Sequence, residues 1–245
     1  MTMIITAHLG DCILIAADKR AMSCNLETGQ IKLANDNEQK IKLWNRGAIA
    51  GTGETIFLDR VADYFIQFKK DEYHLKQLDR IYDEIEKRIL EGIPPKVLYN
   101  NCIMFSMFNG VETLLHSIPI EPFFHVIEKN DRKIIQPKVL TIKAYDVDVT
   151  CFNLPPDMSN LQEFQRNLKA LSDFTDEKEF VFYYIRHLKK NFARHAQVDP
   201  SITTSFDLYL QSCVTGRNIA IHVPSLILPS VISDDLNYWN RMNNI

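Results

Sequence analysis

No run in the sequence approaches the ~20 apolar residues of a membrane-spanning helix. The N-terminus lacks the basic flank and long apolar core of a secretory signal, because Gly10-Asp11 interrupts its first apolar run. A cytoplasmic protein with no membrane partner is therefore expected. Charge of one sign is not concentrated either: 28 Lys and Arg stand against 31 Asp and Glu, a net charge of -3. A dedicated nucleic-acid binder, which draws its affinity from neutralising many phosphates, is not expected on that ground. The five cysteines, Cys12, Cys24, Cys102, Cys151 and Cys213, are odd in number and widely spaced. They support neither a disulfide framework nor a CxxC zinc site, and are read as reduced, several of them inside apolar runs. HExxH, GxSxG and phosphate-cradling glycine loops are all missing, so no metal or other cofactor is expected.

What the sequence does contain is an ordinary globular composition, 46% apolar and 24% charged over 245 residues. That length can bury a substantial core without staples. No internal repeat or linker divides it, and a single domain spanning 1–245 is expected. Met3–His8 and the unbroken apolar run Cys12–Ala17 read as a hairpin about Leu9-Gly10-Asp11, the second strand covered on both faces. Gln30–Ala34, then Lys40–Trp44 leading into Ala48–Gly51, read as further strands. Phe57, Val61, Tyr64, Phe65 and Phe68 share one helical face; Leu75, Leu78, Ile81, Tyr82, Ile85 and Ile89 share another, closed by Gly92 and Pro94-Pro95.

The pattern returns to strand at Cys102–Phe108, an Asn109-Gly110 turn and Val111–Ile118. Val139–Phe152 suggests one or two more strands. A helix is predicted over Ser159–Ser172 with Ser159 and Gln162 spaced as a capping box, and another over Asp176–Ala196. Phe206–Leu210 and Asn218–Val223 are the last strands, and the tail after Pro224 is not assigned. The order is strands, two helices, strands, two helices, strands. Hairpin-linked strands are incompatible with an alternating βαβ parallel sheet. The expected fold is α+β: a four-layer αββα sandwich of two antiparallel sheets, each covered by a helix pair.

Candidate chemistry concentrates in the first fifty residues. Thr2 follows the first Met, and Asp18 and Arg20 lie in Ala16-Ala-Asp-Lys-Arg-Ala21. Lys40 opens a strand, and Gly51 closes Ile49-Ala-Gly51 before a helix. Taken singly, each has a plain structural reading. Together they resemble the N-terminal nucleophile hydrolases of the proteasome β-subunit type, including the simpler ring-forming bacterial proteasome-like peptidases. With Thr2 placed on that family's nucleophile, Asp18 stands sixteen residues on and Arg20 two beyond it, the family's separations. Lys40-Ile41 matches its Lys-(Ile/Val) strand, and Gly51 its oxyanion-hole glycine. The segment between Arg20 and Lys40 is several residues longer than in that family, and Lys42, on the same strand face, is the other candidate for the lysine. Near the C-terminus, Asp199-Pro-Ser-Ile-Thr-Thr leads into a strand with Leu208-Tyr209, resembling the family's Asp-x-x-Ser-Gly-Gly segment. Asp199 and Ser201 join the candidate set. The family's Ser position falls on Ile202, Thr203 and Thr204 replace its glycines, and its Gly-Ser-Gly segment is missing.

The resemblance implies a threonine peptidase. A Thr hydroxyl needs an adjacent base, and an N-terminal Thr carries its own amine, whose ordinary pKa is about 8. Lys40 would favour the neutral amine, Asp18 would fix Lys40, and the Gly51 N–H would meet the oxyanion. Removal of Met1 is a requirement of that chemistry. Peptides or unfolded protein would be the substrate, in a homo-oligomeric ring served by an ATP-dependent unfoldase. Two alternatives stand beside it: a non-catalytic scaffold or interaction protein with the same sandwich, and an N-terminal nucleophile amidase acting on a small amide.

Overall fold

The computed structural model describes residues 2–25, 28–67, 78–129, 132–135, 137–151 and 157–225. Two five-stranded antiparallel sheets dominate it. The first runs β12-β1-β2-β13-β14 and the second β11-β8-β7-β6-β5. In the first, β1 (Met3–His8) and β2 (Cys12–Asp18) form the expected hairpin, flanked by β12 (Val147–Cys151) and by β13 (Phe206–Ser212) with β14 (Asn218–Val223). The second contains β5 (Ile41–Trp44), β6 (Gly47–Thr52), β7 (Cys102–Phe108), β8 (Thr113–Pro119) and β11 (Leu140–Thr141). Helices α1 (Thr55–Ile66), α2 (Asp79–Leu90) and α3 (Pro95–Tyr99) separate β6 from β7; α4 (Ser159–Arg166) and α5 (Glu177–Val198) separate β12 from β13.

Strand alternation explains the burial, since successive side chains point to opposite faces. Met3, Ile5 and Ala7 of β1 and Cys12, Leu14 and Ala16 of β2 share a core with Phe164 of α4 and Val181, Tyr184, Leu188 and Phe192 of α5. Ile49 of β6 and Ile103, Phe105 and Met107 of β7 share another with Phe57, Val61 and Phe65 of α1 and Ile81 and Ile85 of α2. The alternate residues, Ile4, Ile13, Ile15, Ala48, Ala50, Met104, Leu115 and Tyr209, form a third core drawn from both sheets. Both strands of the β1–β2 hairpin are thus buried on both faces, and β2 is apolar on both, which is why Cys12–Ala17 reads as unbroken. One polar bridge crosses that third core: Ser106 Oγ donates to Gln211 Oε1 at 2.9 Å and accepts from Ala48 N at 2.9 Å.

Several expectations are corrected. The helix expected over Ser159–Ser172 stops at Arg166, and Ser159 is not its cap; Ser159 N–H donates to Asp157 Oδ1 at 2.9 Å instead. The amides of Leu171 and Ser172 turn to the Asp11 carboxylate at 2.8 and 3.0 Å, pinning this segment to the β1–β2 turn. Pro94-Pro95 closes nothing but starts α3, because proline at the first helical position loses no hydrogen bond. Two hairpins stand apart from the large sheets: β3 (Ala21–Cys24) with β4 (Ile31–Asn35), and β9 (Val126–Lys129) with β10 (Arg132–Ile135). Phe68, Leu75 and the tail beyond Ser225 lie outside the described residues. Among the described residues no helix is long and apolar enough to cross a membrane.

Candidate functional site

Register brings the candidate residues of the N-terminal fifty together. Ile4 pairs with Ala17, so the pairing carried one residue further sets Asp18 at the end of β2 beside Met3. Ile41 pairs with Ala50, so the same continuation sets Lys40 opposite Gly51. Asp18 is fully buried, and Thr2 is only 7% exposed. A cleft of about 590 Å³, counted with its open mouth, is lined by Thr2, Lys40, Gly51, Leu58 and Val61 among others.

Asp18 is the hub. Its Oδ1 accepts Met3 N–H at 2.8 Å and Lys40 Nζ at 2.8 Å; its Oδ2 accepts Arg20 N–H at 2.9 Å and Thr203 N–H at 3.4 Å. Lys40 Nζ donates a second bond to the Arg20 carbonyl at 2.7 Å. A buried carboxylate with this many donors is held in one place. Burial strips the Lys40 ammonium of water and holds its pKa below the usual lysine range, with the Asp18 charge opposing that effect. Of the two lysines, Lys40 reaches Asp18, while Lys42 pairs with Asp59 at 3.4 Å across the cleft wall.

Gly51 has a steric reason to be glycine: a Cβ there would run into the Leu58 side chain and lie 3.2 Å from the Cys102 carbonyl oxygen. Asp199 ends α5 and is buried; its Oδ1 accepts Ser201 N–H at 2.8 Å and Ser201 Oγ at 2.5 Å. Both lie in the turn that reaches Asp18 through the Thr203 amide. Cys151, paired with Met3 in β12, has its thiol pushed up to about 11 by burial and by the negative charge of Asp199.

Sequence reasoning did not find the links around this hub. Arg20 clamps Asp36 with two bonds of 2.6 and 2.8 Å and donates to the Pro200 carbonyl at 2.6 Å, joining the β3–β4 hairpin to the 199–203 turn. Thr203 Oγ1 accepts Lys19 N–H at 3.2 Å and donates to the Ser205 carbonyl at 2.6 Å. The one signal for Thr203 was its place where the family has glycine. Among the described residues no three His, Cys, Asp or Glu gather to hold a metal ion.

With the geometry in view, the chain can be set beside solved structures. It is similar to an Anbu Gly-1 mutant from Hyphomicrobium sp. strain MC1, at 13% identity and a TM-score of 0.59, covering 100% of this chain and 98% of that one. It is similar to Anbu, described as an ancestral beta-subunit, from Yersinia bercovieri, at 7% identity and a TM-score of 0.58, covering 99% and 95%. A second Hyphomicrobium Anbu structure gives 14% identity and a TM-score of 0.53, covering 98% and 94%. No family model and no curated protein matches the chain. The likeness is one of fold: mixed α+β with antiparallel sheets, of the proteasome-like kind. It corrects the family drawn from residues 2–54. The neighbours are Anbu proteins, a different family from the proteasome β-subunit and bacterial proteasome-like peptidase type. The reason is that short motifs around Thr2, Asp18, Lys40 and Gly51 report a local arrangement, whereas the neighbours match over nearly the whole chain.

Proposed function

We propose that the chain is an N-terminal-threonine hydrolase that cleaves the amide bonds of peptides through an acyl-enzyme. The observation that carries this reading is the Lys40–Asp18 pair, buried at the wall of the cleft that Thr2 and Gly51 also line. A desolvated ammonium is costly, and its placement beside a candidate nucleophile gives it a use.

With Met1 removed, the Thr2 amine takes the proton from Thr2 Oγ as Oγ attacks the substrate carbonyl carbon. Lys40 favours the neutral amine electrostatically, and the Gly51 N–H receives the developing oxyanion. The C–N bond then breaks, and the leaving amine takes the proton. Water, deprotonated by the Thr2 amine, then attacks the ester carbonyl; the acyl C–O bond breaks, Thr2 Oγ takes that proton back, and the acid is released. Asp18 fixes Lys40, while Asp199 and Ser201 set the turn that supports Asp18. The three core clusters, drawn from described residues between Met3 and Val223, support a four-layer αββα arrangement, and a single domain over 1–245 is part of the proposal. A cytoplasmic homo-oligomeric ring, fed with unfolded protein by an ATP-dependent unfoldase, completes the proposal; one chain holds the whole residue set, so identical copies suffice.

N-terminal mass spectrometry on native material is the first test: a mature chain that keeps Met1 sinks the mechanism. With Thr2 exposed, an epoxyketone probe labels wild type but not Thr2→Ala, and fluorogenic peptides are cleaved only by the former. Native mass spectrometry of the same sample tests the ring.

A further inference from the structure

The turn that follows Gly51 is gripped from behind by two residues that do not line the cleft. Asn101, 2% exposed, sits between α3 and β7. Its own backbone is fixed, since Asn101 N–H donates to the Leu98 carbonyl and its carbonyl accepts Ile120 N–H, each at 3.0 Å. Its Oδ1 accepts Glu54 N–H at 3.1 Å. Gly53, at a φ of +129°, lies so close that any Cβ would collide with the Asn101 amide. Arg88, 5% exposed on α2, holds the Glu54 carboxylate as a fork: Nε to Oε2 at 3.0 Å and Nη2 to Oε1 at 2.9 Å. The same carboxylate caps α1, accepting Ile56 N–H at 3.3 Å and Phe57 N–H at 2.7 Å. The first turns of α1 supply Thr55, Leu58 and Asp59 to the cleft, and Leu58 packs where a Gly51 side chain would be.

Glu54 therefore joins four things: the turn after Gly51, the start of α1, the α2 scaffold through Arg88, and β7 through Asn101. We propose that Asn101 and Arg88 act through Glu54 as positioning residues that hold the Gly51–Glu54 turn, and with it the Gly51 backbone, at the angle the reaction needs. This rests on the hydrolase reading above. Two-bond forks give geometric definition beyond charge, and displacing a reacting group by about 1 Å is enough to cost on the order of a hundredfold in rate.

The test is steady-state peptide cleavage by the full chain, with epoxyketone labelling rates, for Asn101→Ala, Arg88→Met and Arg88→Lys. The expected result is a fall in kcat of about tenfold to a hundredfold with KM little changed. Asn101→Asp keeps the acceptor for Glu54 N–H and restores most of kcat. Leu188→Ala, which lowers stability in the distant α5 core, keeps the wild-type kcat per folded molecule. An active wild type whose Arg88→Met and Asn101→Ala variants keep kcat overturns the positioning role alone. Should Asn101→Ala fail to fold, Arg88→Lys decides, because it keeps the charge and loses the fork: an unchanged kcat overturns the proposal. A wild type that neither cleaves nor labels overturns the hydrolase reading, and this role with it.

Discussion

Lys40 Nζ and Met3 N–H share one acceptor, Asp18 Oδ1, each at 2.8 Å. The start of β1 and the lysine before β5, which belong to different sheets, are therefore fixed by a single oxygen. Asp18→Ala leaves Lys40 buried without its partner and should cost about 3–5 kcal/mol. The double variant Asp18→Leu with Lys40→Met should recover most of that loss while leaving epoxyketone labelling abolished. Urea denaturation of wild type and of the two variants checks the first statement. Stability that does not return in the double variant would show that the Met3 and Thr203 bonds, rather than the charge pair, carry it.

Gly51→Ala tests the steric argument separately from chemistry. The added methyl meets Leu58, so overpacking should cost about 1–3 kcal/mol. Leu58→Ala in the same chain should relieve most of it, giving a favourable coupling energy in a double-mutant cycle. Additive losses would mean that the Cys102 carbonyl is the true obstacle.

Acid sensitivity should begin before the carboxylates titrate. Burial holds the pKa of His116 and of His195 below the ordinary 6.5. The folded state therefore binds fewer protons than the unfolded chain between each lowered value and about 6.5. Stability should fall as pH drops through that window and be complete above it. Thermal melts from pH 7.5 to 5 should show a shallower decline for His195→Gln than for wild type. Parallel profiles would assign the acid loss elsewhere.

Thiol reactivity should split one against four. Cys24 is exposed on β3, while Cys12, Cys102, Cys151 and Cys213 are buried or half-buried, and burial raises the pKa of all four. One equivalent of an aromatic disulfide reagent should react quickly with the native protein, and Cys24→Ser should remove that phase. A fast phase that survives the substitution contradicts this assignment.

The strands with an unbroken or alternating apolar pattern, β1, β2, β7, β13 and β14, were legible because both large sheets bury them. The β3 strand was not: among the described residues it pairs with β4 alone, and Ser23 and Cys24 face solvent, so it has no apolar signature. Proline at Pro94-Pro95 misled because the same residue stops one helix and starts another, and only the three-dimensional course distinguishes them. At the candidate site, Thr2, Asp18, Lys40 and Gly51 are grouped by the resemblance of their pattern to a known family, and sheet register sets Asp18 beside Met3 and Lys40 opposite Gly51. Arg20 with Pro200, and Asn101 with Glu54, belong to no such pattern and join segments 180 and 47 residues apart.

The Asp18 bond to Met3 N–H has one more implication. The group it holds lies just downstream of residue 2, so the anchor involves neither the side chain at that position nor anything preceding it. Serine, cysteine or alanine substituted there should dock in the same spot, with the scaffold indifferent to which it carries. The residue at position 2 is an exchangeable part in a socket that the rest of the protein has already built.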